Sequence, residues 1–348
     1  MEVRLKLSSM LKRWRNSVGN TPPPNPSVSS LPQTGGLGPA LEATRESFGK
    51  AILALGKHNP AIVVLDADLS VSTRSQLFAD AFPERFFQMG IAEANMIGTA
   101  AGLAFAGKIP FACSFGCFLT GRFETIRISV GYSQANVKLV GTHAGLGIGE
   151  DGATQMALED IGLMRLIPGM TVLQPSDATT TRACVELSTQ IKGPVYLRLT
   201  RQKLPLLYPE LPASFGLGKG IVLREGAQIA LLATGATVAE CVQAREHLNP
   251  RPWVIDFPTL EPIDGDLIRS LARTCQWLVT VEDHFVAGGL GSAVASVLAG
   301  ETSQCRLHTI GVTHYGESAS AEALYEAYGL SARRIVGTVN EVCLTSGG

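Results

Sequence analysis

Ala61-Ile62-Val63-Val64-Leu65-Asp66 is a short β-branched apolar run that ends on a carboxylate. A run this short, with no polar residue to turn toward water, reads as a strand covered on both faces. The unit recurs downstream, at Ile109 to Phe115, Val137 to Thr142, Met170 to Leu173 and Val195 to Arg198. Helical spacing fills the gaps over Ile91 to Ala106, Phe123 to Tyr132, Ala157 to Leu166 and Ala178 to Thr189, and precedes the first strand over Leu41 to Leu55. Alternating strands and helices predict a mostly parallel sheet with helices on both faces.

A proline-containing bridge, Leu204 to Gly218, separates a second run of the same kind. Its strands are expected at Ile229 to Ala233, Trp253 to Ile255, Trp277 to Val281 and Arg306 to Ile310. Its helices fit Thr237 to His247, Gly265 to Thr274 and Gly289 to Leu298. The expected fold is therefore α/β, with doubly wound domains at 41–205 and 218–348 joined by a linker at 206–217. Residues 1–40 stand apart as a basic, proline-rich arm. Arg4, Lys6, Lys12 and Arg13 lie among apolar residues with Glu2 as the only acid, and a Pro/Ser/Gly stretch follows. A short amphipathic helix, a targeting presequence, an added leader or an arm that packs on a partner all fit this composition.

The chain has 348 residues, 29 basic and 30 acidic, for a net charge of −1. That balance argues against nucleic acid or a membrane surface as the main partner. No apolar run reaches the roughly 18–20 residues that span a bilayer. The seven cysteines are scattered and odd in number, so neither a disulfide framework nor zinc is expected, and reduced thiols point to the cytoplasm.

In open α/β sheets ligands collect beyond the carboxyl ends of strands. Three segments fall there. Asp66 to Thr73 reads as a turn and helix cap. Gly90-Ile91-Ala92-Glu93-Ala94-Asn95-Met96-Ile97-Gly98 places an acid at the start of an otherwise apolar helix. Glu93 is either a first-turn acid facing the helix dipole or a carboxyl held for hydrogen bonding to a heterocycle nitrogen. The third segment, His143-Ala144-Gly145-Leu146-Gly147-Ile148-Gly149-Glu150-Asp151-Gly152-Ala153-Thr154-Gln155, holds four glycines and few residues to bury, which marks a loop kept for function. It has neither Walker nor GxGxxG spacing.

In order and spacing these segments resemble the transketolase family. The resemblance runs from about Ala43 to the C-terminus. It is carried by Arg85-Phe86-Phe87 through Gly102, Ser114-Phe115 through Phe123, the His143 to Gln155 loop, and Pro175-Ser176-Asp177. Leu199-Thr200-Arg201-Gln202 and Val281-Glu282-Asp283-His284 before Gly288-Gly289 complete it. It implies a pyrimidine-binding domain followed by the family's C-terminal domain, and thiamine diphosphate as cofactor. The family's GDG motif, which holds pyrophosphate and a divalent metal (Mg2+ or Ca2+), has no counterpart. Gly149-Glu150-Asp151-Gly152 does not match it, and Asp264-Gly265-Asp266 falls in the wrong domain. A separate N-terminal subunit is therefore expected to supply that half, with two copies of each chain in the assembly.

Residue roles follow from the same resemblance. Glu93 matches the glutamate that hydrogen-bonds the aminopyrimidine ring, and Phe115 and Phe118 match aromatics packed on it. Asp68 matches an acid near the cofactor. Arg45, Ser72, His143 and Arg201 match the sugar-phosphate cluster, in which each is expected to donate to phosphate oxygens. Asp151 matches an acceptor for a substrate hydroxyl. Gln155 stands where many microbial members have histidine, Ala153 replaces a common proline, and Gly121 replaces an aromatic or arginine of some members. These departures bear on which sugar is used. A deoxyxylulose-phosphate-synthase-like subunit, the β subunit of a 2-oxo acid dehydrogenase and a catalytically silent regulatory subunit are the competing readings.

Overall fold

The structure, a computed structural model, describes residues 38–344, so all but the last three residues of the arm read at 1–40 lie outside the described residues, and those three belong to a strand. In chain order the first strands are β1 (Gly38–Ala43), β2 (Ile62–Asp66), β3 (Phe86–Gln88), β4 (Ile109–Phe115) and β5 (Lys138–Thr142). Next come β6 (Thr171–Leu173), β7 (Val195–Arg198), β8 (Lys203–Leu206), β9 (Ile221–Arg224) and β10 (Ile229–Ala233). The last are β11 (Trp253–Asp256), β12 (Thr259–Glu261), β13 (Trp277–Phe285) and β14 (Arg306–Val312).

Seven strands form the first sheet, in the order β12-β6-β7-β5-β4-β2-β3, and five form the second, in the order β14-β13-β10-β11-β9. Within each sheet the pairs are parallel except at one edge, where β12 on β6 and β9 on β11 run antiparallel. The apolar runs of the sequence supply the central strands: β2, β5, β7 and β10 are buried along their whole length. Among the described residues no helix is long and apolar enough to cross a membrane.

Several features differ from the sequence reading, and the edge strands β3 and β9 were not expected at all. The expected helix at Leu41 begins only at Thr44, because residues 38–43 form β1 and pair with β8. The bridge therefore opens with a strand, which takes up Leu204 to Leu206. The segment Thr259–Glu261, far into the second run, adds an edge strand to the first sheet. Each of these strands is short, and β1 and β8 are interrupted by proline, so no β-branched apolar run announces them. The Phe123 to Tyr132 helix forms, but Ile126–Tyr132 is wound as a wider π turn.

A buried polar cluster joins the two sheets. Arg198, at the end of β7, is 1% exposed and donates from Nε to Asp160 Oδ2 at 2.8 Å. Its Nη2 reaches the carbonyls of Ala157 (3.0 Å) and of Asp283 on β13 (2.9 Å), while Tyr196 OH adds a 2.7 Å bond to Asp160. A buried charge left without its partner is costly, more so than the pair is stabilising. Asp160→Ala is accordingly expected to lower the free energy of unfolding in urea by roughly 3–5 kcal/mol, with an Asp160→Leu/Arg198→Met double variant recovering much of it. A single-variant loss below about 1 kcal/mol would show that Arg198 finds another partner.

Candidate active site

The carboxyl ends of parallel strands in one sheet lie on one edge, and helices that follow them start there. The register makes this concrete. Phe115 at the end of β4 is the Cα partner of Thr142 at the end of β5, and Gly141 pairs with Arg198 on β7. The helix after β3 starts at Glu93, and the segment after β2 carries Asp68 and Ser72. One edge of the first sheet thus gathers Asp68, Ser72, Glu93, Phe115, His143 and Arg201. Arg45 joins them from the first turn of the Thr44–His58 helix.

His143 organises the edge. It is 2% exposed, sits in the left-handed backbone region at φ 57°, and stacks on Phe115 with ring centroids 3.8 Å apart. Phe115 in turn stacks with Phe118 at 5.5 Å and 6° between planes. Arg45 Nη1 lies 2.7 Å from His143 Nε2. A guanidinium only donates, so Nε2 is the acceptor and the ring proton rides on Nδ1, directed at Thr142 Oγ1 at 2.8 Å. Thr142 Oγ1 in turn donates to the Ser114 carbonyl at 3.3 Å. In this arrangement the imidazole accepts where the sequence reading had it donating, and it orients Arg45 rather than facing outward as a donor.

The basic residues converge around that ring. Arg45 Nη1 also reaches the Ser72 carbonyl (2.9 Å), so Ser72 meets it through backbone, and its hydroxyl has no hydrogen-bond partner among the described residues. Arg201 donates to the Ile148 carbonyl at 2.6 Å and lies 3.6 Å from Asp151, both half exposed. Arg74, which sequence reasoning missed, is a third guanidinium in the cluster. It sits at φ 68°, pairs with Glu46 at 3.2 Å, and together with Arg45 and Arg201 depresses the His143 pKa. Its only sequence signal was position, since it follows Ser72 and Thr73 past the end of β2.

The remaining expected residues are placed as follows. Glu93 is 5% exposed at the first position of its helix, and its carboxylate has no hydrogen-bond partner among the described residues. Asp68 is exposed at φ 65°, with its amide on Gln88 Oε1 at 2.8 Å. Gln155 is half-buried and within 3.4 Å of Thr154 Oγ1. The acid that organises the turn after β2 is Asp66, buried and accepting from Leu69 N, Thr73 Oγ1 and Ser75 Oγ. The aromatic pair and the buried, unpartnered Glu93 suit the flat, nitrogen-bearing half of a heterocyclic cofactor. Among the described residues no group of three or more His, Cys, Asp or Glu could hold a metal ion.

Burial, followed by the charges of Arg45, Arg201 and Arg74, pulls His143 from its ordinary 6.5 down to about 3. With the folded pKa below the unfolded one, the stability contributed by the neutral ring is complete above pH 6.5 and is lost as pH falls toward 3. Glu282 and Asp256 act in the opposite sense. Burial pushes each up to about 7, so their contribution is present below the ordinary carboxylate range and lost as pH rises through 7. Thermal melts of His143→Gln are expected to lose Tm less steeply than wild type between pH 6.5 and 4. Parallel curves would show that the ring titrates alike in the folded and unfolded chain, against the lowered pKa.

Comparison with known proteins identifies the domains that carry this edge. Residues 42–206 match the family model of the transketolase pyrimidine-binding domain, and residues 218–335 match that of the transketolase C-terminal domain. A Methanocaldococcus jannaschii protein named for a transketolase C-terminal section is 42% identical over 88% of this chain and 98% of its own length. The 6-deoxy-6-sulfo-D-fructose transketolase subunit SqwH of a Clostridium species is 39% identical over 86% of this chain and 94% of its own. A solved structure described as a split-gene transketolase, an inactive β4 tetramer, superposes with a TM-score of 0.80 at 46% identity, covering 87% of this chain and 98% of that one. Against mammalian transketolase-like proteins the chain spans about half their length. The chain belongs to the transketolase family, and its two sheets are that family's pyrimidine-binding and C-terminal domains.

Proposed function

We propose that the chain is one subunit of a two-chain, thiamine-diphosphate-dependent transferase that moves a two-carbon ketol unit from a ketose phosphate to an aldose phosphate. One observation carries the reading: Arg45, Arg74 and Arg201 converge around His143 on the sheet edge that also presents Phe115, Phe118 and Glu93. Guanidiniums recognise a tetrahedral oxyanion in fork geometry, so the cluster suits the phosphate of a sugar. Asp151, beside Arg201, would accept a substrate hydroxyl, and Gln155 would lie along the same sugar.

The cofactor would supply the carbanion-stabilising centre. Glu93 would hold a proton at the ring nitrogen of its aminopyrimidine, with Phe115 and Phe118 packing on the ring and Asp68 nearby. Its pyrophosphate and divalent metal (Mg2+ or Ca2+) would be held by a separate subunit carrying a GDG motif. The M. jannaschii and Clostridium relatives share the extent of this chain, and the similar solved structure is an inactive tetramer of one chain type; both support a division of labour between two polypeptides. Two copies of each chain would complete the enzyme, and seven free cysteines suit the reducing cytoplasm.

A sulfonated ketose is the second reading, because a sulfonate offers the same three oxygens and the Clostridium relative is named for one. Mixing this chain with the GDG-bearing subunit, thiamine diphosphate and metal is expected to yield two-carbon transfer from ketose phosphates, with none from this chain alone. Glu93→Ala should lower kcat of the pair by roughly 10²–10⁴-fold, the range for losing a positioned proton-transfer group. Turnover by the single chain, full activity of Glu93→Ala, or decarboxylation of pyruvate in place of ketol transfer would each overturn the proposal. Preference for a sulfonated over a phosphorylated ketose would select the second reading.

A further inference from the structure

Near the end of β13, Glu282, Asp283 and His284 are all 0–1% exposed, an expensive place for three ionisable groups unless each has partners. Two of them serve their surroundings. Glu282 accepts from Leu290 N (2.6 Å) and Gly291 N (2.9 Å), capping the helix that begins there. His284 accepts from Gly162 N at 3.2 Å and lies 2.6 Å from the Phe285 carbonyl. Asp283 points elsewhere. Its Oδ1 accepts from Leu146 N at 2.7 Å, and its Oδ2 from Gly147 N (3.4 Å) and Tyr325 OH (2.8 Å). The two amides belong to the glycine-rich loop of the other sheet.

The loop is shaped for this contact. Gly145 has φ 84°, and a Cβ there would overlap the Asp283 carboxylate; a Cβ on Gly147 would overlap the Gln202 side chain. Gln202 donates from Nε2 to Tyr325 OH at 3.0 Å, which ties the residue next to Arg201 to the same carboxylate. Arg201 itself is bonded to the loop at the Ile148 carbonyl. Further along, Ser318 Oγ donates to the Glu150 carbonyl at 2.5 Å, a second anchor from the C-terminal domain.

We infer that Asp283 is a positioning residue for substrate recognition: from the second sheet it fixes where Arg201 and Asp151 stand relative to His143 and Arg45. It touches no substrate. It acts through Leu146 and Gly147 on the loop, and through Tyr325 and Gln202 on the Arg201 segment. The inference rests on the proposed function for the identity of the ligand, an anionic sugar, but not for the mechanical link.

Asp283→Asn is nearly isosteric, keeps one acceptor oxygen for Leu146 N and sets an amide group against the remaining donors. In the reconstituted two-chain enzyme it is expected to raise KM for a phosphorylated aldose by roughly 10-fold, the scale of one charge-assisted hydrogen bond. The kcat, and kcat/KM for glycolaldehyde as an unphosphorylated acceptor, should stay within about 2-fold. Loss of folded protein alone would lower kcat for both acceptors alike and leave KM in place, which would overturn the inference. Amide hydrogen exchange on the single chain reads the link separately: Leu146 and Gly147 should exchange faster in the variant while β5 is unchanged. Unchanged loop exchange would also sink it. If the wild-type pair ignores sugar phosphates, the functional proposal falls while the exchange experiment still decides the positioning role. Tyr325→Phe, which removes one donor to Asp283 and leaves the ring packed, is expected to give the same pattern at smaller amplitude, and it replaces Asp283→Asn should that variant not fold.

Discussion

The guanidinium of Arg198 is sealed between two sheets, and much of the site's geometry depends on how it is satisfied. Its charge is matched by Asp160, and its remaining reach is spent on two carbonyls, one on each side of the join. A flexible apolar contact would tolerate sliding of one sheet on the other. A buried, hydrogen-bonded ion pair does not, because any displacement leaves a desolvated charge without its partner. The carbonyl it holds on β13 belongs to Asp283, whose side chain holds the glycine loop. One residue thus registers both the sheets and the loop.

The same economy governs the edge where the basic side chains meet. His143 is buried beside three arginines, a setting that removes its charge and fixes its tautomer. A neutral ring can then be the acceptor that holds a guanidinium in place. The cluster keeps its positive charge on Arg45, Arg74 and Arg201, and Asp151 and Glu46 offset part of it.

Much of this was legible in the order of residues. The central strands announced themselves as β-branched runs too short for helices, and the helices by their spacing. Family resemblance named Glu93, Phe115, Phe118, Arg45, His143 and Arg201 together. Arg74 was missed because an arginine after a serine and a threonine has no signature of its own. The strands at 38–43, 86–88, 203–206, 221–224 and 259–261 were missed because edge pairing needs only a few residues, too few to show a periodicity. The tautomer of His143 was beyond reach as well, since it depends on a 2.7 Å contact between residues 98 positions apart.

By itself, the sequence determined the alternation of strand and helix, and with it the edge on which functional residues collect. Periodicity is local, and parallel strands have no choice about where their carboxyl ends lie. Tertiary structure alone decided that Thr259–Glu261 returns to the first sheet, that Arg198 is buried, and that the carboxylate holding the glycine-rich loop comes from the other domain. Each of those depends on a polar group finding its partner across a long stretch of chain. Such pairing leaves no pattern in the neighbouring residues, because its energy is settled only when both groups leave water together.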